Sequence, residues 1–84
     1  MTKTTTKTLK SGVMIRTWTN ERTGASEKTY YYQEKELAQL GTDGVLYWNS
    51  KYWQKPEIRE ELKSIYSVIR RRSKAKKFSE YMNI

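Results

Sequence analysis

Six basic side chains stand within eight residues near the end of this chain, and their spacing indicates an anion-binding function. They are Arg70, Arg71, Arg72, Lys74, Lys76 and Lys77. No acidic residue interrupts this segment, which we call the basic block. The other 11 basic residues are nearly balanced by 9 acidic residues, so most of the net charge of +8 is concentrated here. Such a block creates a positive potential that attracts phosphates or carboxylates.

The basic block also has a purely structural interpretation. If it is helical, its side chains step by 100° and wrap around the helix, so only three or four of them can contact one ligand. Four phosphate contacts would give a salt slope of about −3.6 on duplex DNA. Alternatively, the block is the solvated end of a helix, where cations stabilise the helix dipole. We favour the binding function because the cluster contains no acid.

Exposed aromatic side chains beside basic residues can stack nucleobases and would support the same function. The candidates for such a platform are Tyr31, Tyr52 and Trp53. Lys51 and Lys55 flank two of them and would add cations.

Other aromatic residues are needed for the core. Leu, Ile, Val and Phe are scarce, whereas 13% of the residues are aromatic, and each aromatic ring can bury a large area. We predict that Trp18, Trp48 and one of Tyr30 or Tyr32 are buried. The chain is therefore expected to fold as a single small domain.

The composition excludes most catalytic chemistry. With no Cys and no His, thiol nucleophiles, imidazole bases and zinc sites of these ligands are impossible. Glu57 and Glu61 would share a helix face, but acids in a first helical turn are expected for structural reasons. The four glycines match no phosphate-binding loop. We therefore predict no enzyme activity, no catalytic residue, no metal site and no cofactor.

Residue patterns over the first half of the chain predict a β-hairpin. Residues 12–19 and 27–33 are rich in β-branched and aromatic residues, and the turn formers of residues 20–26 separate them. Residues 1–11 are predicted to be a flexible basic arm, or at most an edge strand. The segment QEKELAQLG favours a short helix ending at Gly41. Residues 45–53 fit either a third strand or a helix, and we favour the strand.

The clearest predicted element is an amphipathic helix that begins at Pro56. Pro suits the first helical position, and acidic residues precede basic ones, as the helix dipole favours. Ile58, Leu62, Ile65 and Ile69 form its apolar stripe. The pattern continues weakly to about residue 81, with a possible break near Ser73.

These elements predict an α+β domain over residues 12–84, in which a hairpin or three-stranded sheet packs against a long C-terminal helix. This order is similar to small DNA-binding modules, such as the arm-binding domains of some integrases, that place a three-stranded sheet in the major groove. The inserted QEKELAQLG segment departs from that pattern. A helix-turn-helix over residues 35–53 is an alternative.

Two functions remain open from the sequence. The first is a non-enzymatic nucleic-acid-binding protein, with DNA favoured over RNA. The second is a small inhibitor or adaptor, of viral or mobile-element type, whose basic tail binds an acidic or nucleic-acid-binding cleft of a larger protein. The chain has no long apolar run and no secretion signal, so we expect an intracellular location without membrane binding. A homodimer is possible because edge strands and apolar stripes can pair.

Overall fold

The computed structural model describes residues 2–53 and 55–76 and the backbone of residues 77–82. Within this part of the chain, six strands form one sheet in sequential order. The strands are β1 (Thr2–Thr8), β2 (Met14–Asn20), β3 (Ser26–Tyr32), β4 (Lys35–Leu40), β5 (Val45–Asn49) and β6 (Lys77–Met82). The first five strands form an antiparallel meander, and β6 pairs with β5 in parallel. Met1, Asn83 and Ile84, which belong to the predicted arm and domain, lie outside the described residues.

The predicted hairpin is present as β2 and β3. Asn20 closes its turn by accepting the backbone N–H of Arg22 at 2.9 Å, and Gly24 adopts the left-handed conformation that the turn requires. Residues 2–8 of the predicted arm form β1, an edge strand that pairs with β2 over its full length.

Helical structure in the described residues lies between β5 and β6, as α1 (Ser50–Trp53), α2 (Pro56–Glu61) and α3 (Lys63–Ser73). The predicted long C-terminal helix is therefore wrong. It does begin at Pro56, but Leu62 interrupts it and Lys74 ends it in the left-handed conformation, with φ of 50°. The chain then turns back, and the Lys76 N–H donates to the Gly44 carbonyl at 2.9 Å. Beyond Ser73 the chain pairs with the edge of β5, and the helix that the weak apolar periodicity predicted there does not form.

The predicted helix over QEKELAQLG and the helix-turn-helix alternative are also wrong. Within this segment Lys35–Leu40 is β4, which lies between β3 and β5, so the backbone hydrogen bonds of the sheet override the local helix propensity. Residues 45–53 divide between the two predicted states. Val45–Asn49 is the favoured strand, and Ser50–Trp53 is helical. A sheet of six strands with three short helices thus replaces the predicted hairpin or three-stranded sheet.

The core lies between the helices and one face of the sheet, which we call the helix-side face. Strand register places Lys7, Ile15, Tyr30, Ala38 and Trp48 in one row across this face. The buried helical residues that join the core cluster are Trp53, Leu62, Ile65 and Ile69. Burial of this apolar stripe is the main stabilising contribution, at roughly 25 cal/mol per Å² of apolar surface.

Candidate nucleic-acid interface

The basic block begins at the C-terminal end of α3, and its side chains lie on different parts of the surface. Arg70, Arg71 and Arg72 are all exposed in the last helical turn, and Lys74 is the exposed residue that ends the helix. Because successive residues step by 100°, Arg70 and Arg72 line different openings on the two sides of α3. Lys76 lies over the β4–β5 turn, with its side chain against Gly44. Lys77 begins β6, and its side chain is outside the described part of the structure.

The opening beside Arg72 is a shallow, solvent-open depression of about 370 Å³ between α3 and the turn that joins β1 to β2, and we call it the hairpin cavity. Its residues are Lys7, Thr8, Leu9, Lys10, Ser11, Val68 and Arg72. Three of these carry a positive charge, two carry a hydroxyl group and none is acidic. Lysine, arginine and hydroxyl groups are the side chains that most often contact phosphate oxygens.

The turn at the hairpin cavity is fixed by its own hydrogen bonds. The Leu9 N–H donates to the Val13 carbonyl at 2.8 Å, and the Gly12 N–H donates to the Leu9 carbonyl at 3.0 Å. Val13 is fully buried, and Leu9 packs against the core. These apolar anchors hold Lys10 and Ser11 at the tip of the turn, facing the last turn of α3.

The net charge differs between the two faces of β1, β2 and β3. Lys3, Lys7 and Lys28 share the helix-side face. Lys7 is paired with Ile15, Lys28 lies two residues before Tyr30, and Lys3 lies four residues before Lys7 on the same strand. The opposite face, which we call the open face, carries Glu27 and Arg16, whose charges balance. All of β1 is exposed, so its lysines are accessible. The helix-side cations therefore extend the positive surface that begins at the end of α3.

The opening beside Arg70 is a cleft of about 480 Å³ with aromatic walls, and we call it the aromatic cleft. Its residues are Trp48, Trp53, Arg59, Glu60, Lys63, Tyr66, Ser67 and Arg70. Tyr66 stacks on Trp48 with ring centroids 4.2 Å apart, and Trp53 meets both rings edge-on at 5.3 Å. The guanidinium of Arg70 lies over the Tyr66 ring, 5.7 Å from its centroid.

The prediction that Trp53 is an exposed stacking residue is wrong. Its side chain is only 3% exposed, and its indole N–H donates to the Leu37 carbonyl at 2.7 Å. Helix α1 turns Trp53 back over the sheet, because burial of the large ring outweighs the preference of its polar neighbours for solvent. Of the predicted core residues, Trp48 and Tyr30 are buried, whereas Trp18 is half-buried.

The other predicted platform residues are not brought together. Tyr52 is half-buried against the core, with the Lys51 ammonium 5.6 Å from its ring centroid, and Lys55 is exposed just before α2. Tyr31 lies on the open face, where the Arg16 guanidinium is 5.4 Å from its ring and 6.0 Å from the Trp18 ring. Strand alternation in the sequence already places Arg16 and Trp18 on one face of β2. This alternation could have predicted the contact between the Arg16 guanidinium and the Trp18 ring.

The cations that sequence analysis missed are Lys7 and Lys10 at the hairpin cavity and Arg59 and Lys63 at the aromatic cleft. No local motif marks them. Lys7 and Lys10 belong to a segment predicted as an arm, and only the β1–β2 pairing places them against α3.

Among the tyrosines whose side chains the structure describes, Tyr30 and Tyr47 have raised pKa values. Burial raises the pKa of Tyr30, and the positive charge of Arg72 partly offsets this effect. The hydrogen bond to Asp43 raises the pKa of Tyr47, whose hydroxyl donates to the carboxylate at 2.9 Å.

No helix within the described residues is long and apolar enough to cross a membrane. In the same part of the chain, no three acidic side chains are grouped closely enough to hold a metal ion. No protein-family model, no curated protein and no solved structure matches the chain.

Proposed function

We propose that the chain is a non-enzymatic nucleic-acid-binding protein, with DNA as the expected partner. The hairpin cavity carries this proposal, because Lys7, Lys10 and Arg72 converge there from two elements and no acidic residue lines it. Convergent cations without an acid favour a ligand with closely spaced negative charges, and a nucleic-acid backbone has that charge pattern.

The surroundings of the cavity support an extended ligand. Lys3 and Lys28 continue the positive charge along the helix-side face of the sheet, and Arg71 and Lys74 continue it around the end of α3. A backbone lying across the end of α3 would contact cations on both sides of the cavity. Phosphate contacts of this kind position a nucleic acid without reading its sequence.

Anisotropy titration of labelled duplex and single-stranded DNA and RNA at about 50 and 200 mM salt tests the proposal. In a cavity variant, Lys7, Lys10 and Arg72 are each replaced by Gln. In a control variant, Arg16, Arg22 and Lys35, which lie away from the cavity, are replaced by Gln, so both variants lose three positive charges. The cavity variant should lose about 2.7 units of the duplex salt slope, since each phosphate contact contributes about 0.9.

The control variant should keep a salt slope close to that of the unmodified chain. Equal losses in both variants would show that net charge alone, and not the hairpin cavity, attracts the ligand. If none of the four nucleic acids binds at 50 mM salt, the proposed function is wrong. An acidic protein surface, the other partner expected from the sequence, would then be sought by pull-down at low salt.

A further inference from the structure

We infer that the aromatic cleft is a binding site for a nucleoside phosphate, with the base against the Tyr66 side of the cleft and the phosphate among Arg59, Lys63 and Arg70. This inference adds a second site to the proposed function, and for a nucleotide within a bound strand it rests on that function. The aromatic cleft and the hairpin cavity are separate openings on the two sides of α3 and share no lining residue.

The aromatic wall suits a planar base. Trp48 and Trp53 are almost completely buried, and they support Tyr66, which is half-buried at the wall of the cleft. Tyr66 is held in place by its stacking on Trp48 and by its edge contact with Trp53, so little side-chain entropy is lost when a ligand binds. Trp48 covers one face of the Tyr66 ring and the Arg70 guanidinium also lies over the ring, so a base at this wall would stack on the guanidinium plane. Arginine guanidinium planes stack on bases without requiring a particular sequence.

The rim of the cleft suits a phosphate. Three of its residues are cationic, and Glu60 is the single acid among the residues that line it. The Arg59 guanidinium is tied to the cleft by its Nε–H, which donates to the Trp53 carbonyl. Arg70 is placed over the Tyr66 ring. A net charge of about +2 beside an aromatic wall matches a ligand that combines a ring with a phosphate group.

The size of the cleft agrees with this ligand. Its volume of about 480 Å³ lies within the range of roughly 300 to 1,000 Å³ that is common for small-molecule sites. A paired base within a duplex cannot present its ring to this wall, so an unpaired nucleotide or a free nucleotide fits the cleft and a duplex does not.

NMR titration of the ¹⁵N-labelled protein with adenosine 5′-monophosphate tests the inference, with adenosine and inorganic phosphate as separate probes. The monophosphate should shift the Trp53 indole signal and the Lys63, Ser67 and Arg70 amide signals with one saturation curve. We expect it to bind about tenfold or more tightly than phosphate alone, because the base adds a stacking contact. A single-stranded tetranucleotide and a blunt-ended duplex without a loop then separate a strand nucleotide from a free nucleotide, and only the tetranucleotide should shift the cleft signals.

Two exposed serines of α3 provide a matched pair of variants. Ser67→Phe places a ring in the aromatic cleft, whereas Ser64→Phe adds the same ring at a position that does not line it. Ser67→Phe should abolish the shifts caused by the monophosphate, and Ser64→Phe should leave them unchanged. Replacing Lys63 and Arg70 by Gln should weaken the monophosphate more than adenosine.

The inference is overturned if the monophosphate causes no saturable shift up to about 5 mM, a concentration that would detect even weak binding. It is also overturned if the shifts are confined to residues 7–11 and Arg72, or if Ser67→Phe binds as well as Ser64→Phe. Shifts at the cleft without binding of any oligonucleotide would support this site and contradict the proposed function. Oligonucleotide binding, with no shift at the cleft from either the monophosphate or the tetranucleotide, would do the reverse.

Discussion

Tyr30 illustrates at the scale of one residue how this small core accommodates polar atoms. Its side chain is fully buried, and its hydroxyl has no hydrogen-bond partner among the described residues. An unpaired buried hydroxyl costs free energy, whereas the ring contributes a large apolar area. The residue is therefore valuable to the core for its ring and unfavourable for its hydroxyl.

We expect Tyr30→Phe to leave the free energy of unfolding unchanged or to raise it by up to about 1 kcal/mol, because the ring is kept and the unpaired hydroxyl is removed. Urea unfolding at pH 7 measures this. Tyr47→Phe is the contrasting variant, since it removes a hydroxyl that does donate to Asp43. A clear loss of stability in Tyr30→Phe would show that the hydroxyl has a partner after all.

The pKa of Tyr30 also predicts how stability depends on pH. Its pKa in the folded chain lies above 10.0, the ordinary value for tyrosine, so the folded chain holds the phenol proton more tightly than the unfolded chain does. The contribution to stability is complete below about pH 10 and is lost as the pH rises further. Unfolding of the unmodified chain and of Tyr30→Phe between pH 8 and pH 11 should show the smaller alkaline loss in the variant. Equal losses would contradict the assignment to Tyr30.

Trp53 combines nearly complete burial with a hydrogen bond to the backbone. In Trp53→Phe the Leu37 carbonyl loses its donor and the aromatic cluster loses part of a ring, so we expect a decrease of about 2 to 3 kcal/mol in the free energy of unfolding. Trp18→Phe, at a half-buried position on the open face, should cost less than about 1 kcal/mol. Equal costs would mean that Trp53 is no more buried than Trp18.

At the scale of elements, the residue that ends α3 affects stability through its backbone conformation and belongs to the proposed anion-binding surface. Lys74 occupies the left-handed position that usually favours glycine. In this position a residue with a Cβ atom is strained by about 1 kcal/mol or more. The helix thus ends where the basic block continues, and the same lysine is a candidate contact for an anion.

We expect Lys74→Gly to raise the free energy of unfolding by roughly 0.5 to 1 kcal/mol, since the relief of strain exceeds the added freedom of the unfolded chain. The variant should also lose at most about one unit of the duplex salt slope. Lys74→Ala is the control, because it removes the same charge but keeps the strained conformation. If Lys74→Ala is stabilised equally, charge repulsion and not backbone strain is the cause.

Elements that the sequence analysis missed have identifiable physical reasons. The turn between β3 and β4 consists of Gln33 and Glu34, which both adopt positive φ angles of 50° and 65°. Hairpin turns of this kind usually contain Asn or Gly, so the sequence lacks the usual signal. Local helix propensity then favoured the wrong state for β4, whose conformation is decided by pairing with strands on both sides.

At the scale of the whole molecule, charge has opposite effects on folding and on binding. A net charge of +8 on a chain of 84 residues makes the folded state repel itself, most strongly where α3 ends. The same charge increases the attraction to a nucleic acid. Salt therefore weakens both the repulsion and the attraction.

We expect the melting temperature to rise by a few degrees between about 50 and 500 mM salt, while the affinity for DNA falls steeply over the same range. Calorimetry without a ligand and anisotropy with DNA measure the two effects separately. Replacing the six residues of the basic block by Gln leaves a net charge of +2 and should reduce both salt effects. A melting temperature that falls with salt would show that favourable ion pairs outweigh the repulsion.

The sequence by itself determined two features of composition, the concentrated basic block and the absence of Cys and His. It also determined two elements, the hairpin of β2 and β3 and a helix that begins at Pro56. These features depend on residue types and on spacing over a few residues. The tertiary structure decided that β4 and β6 are strands, that Trp53 is buried, and that Lys7 and Lys10 face Arg72. Those outcomes depend on pairing and packing between distant segments, whose free energy exceeds the local preferences that a sequence pattern reports.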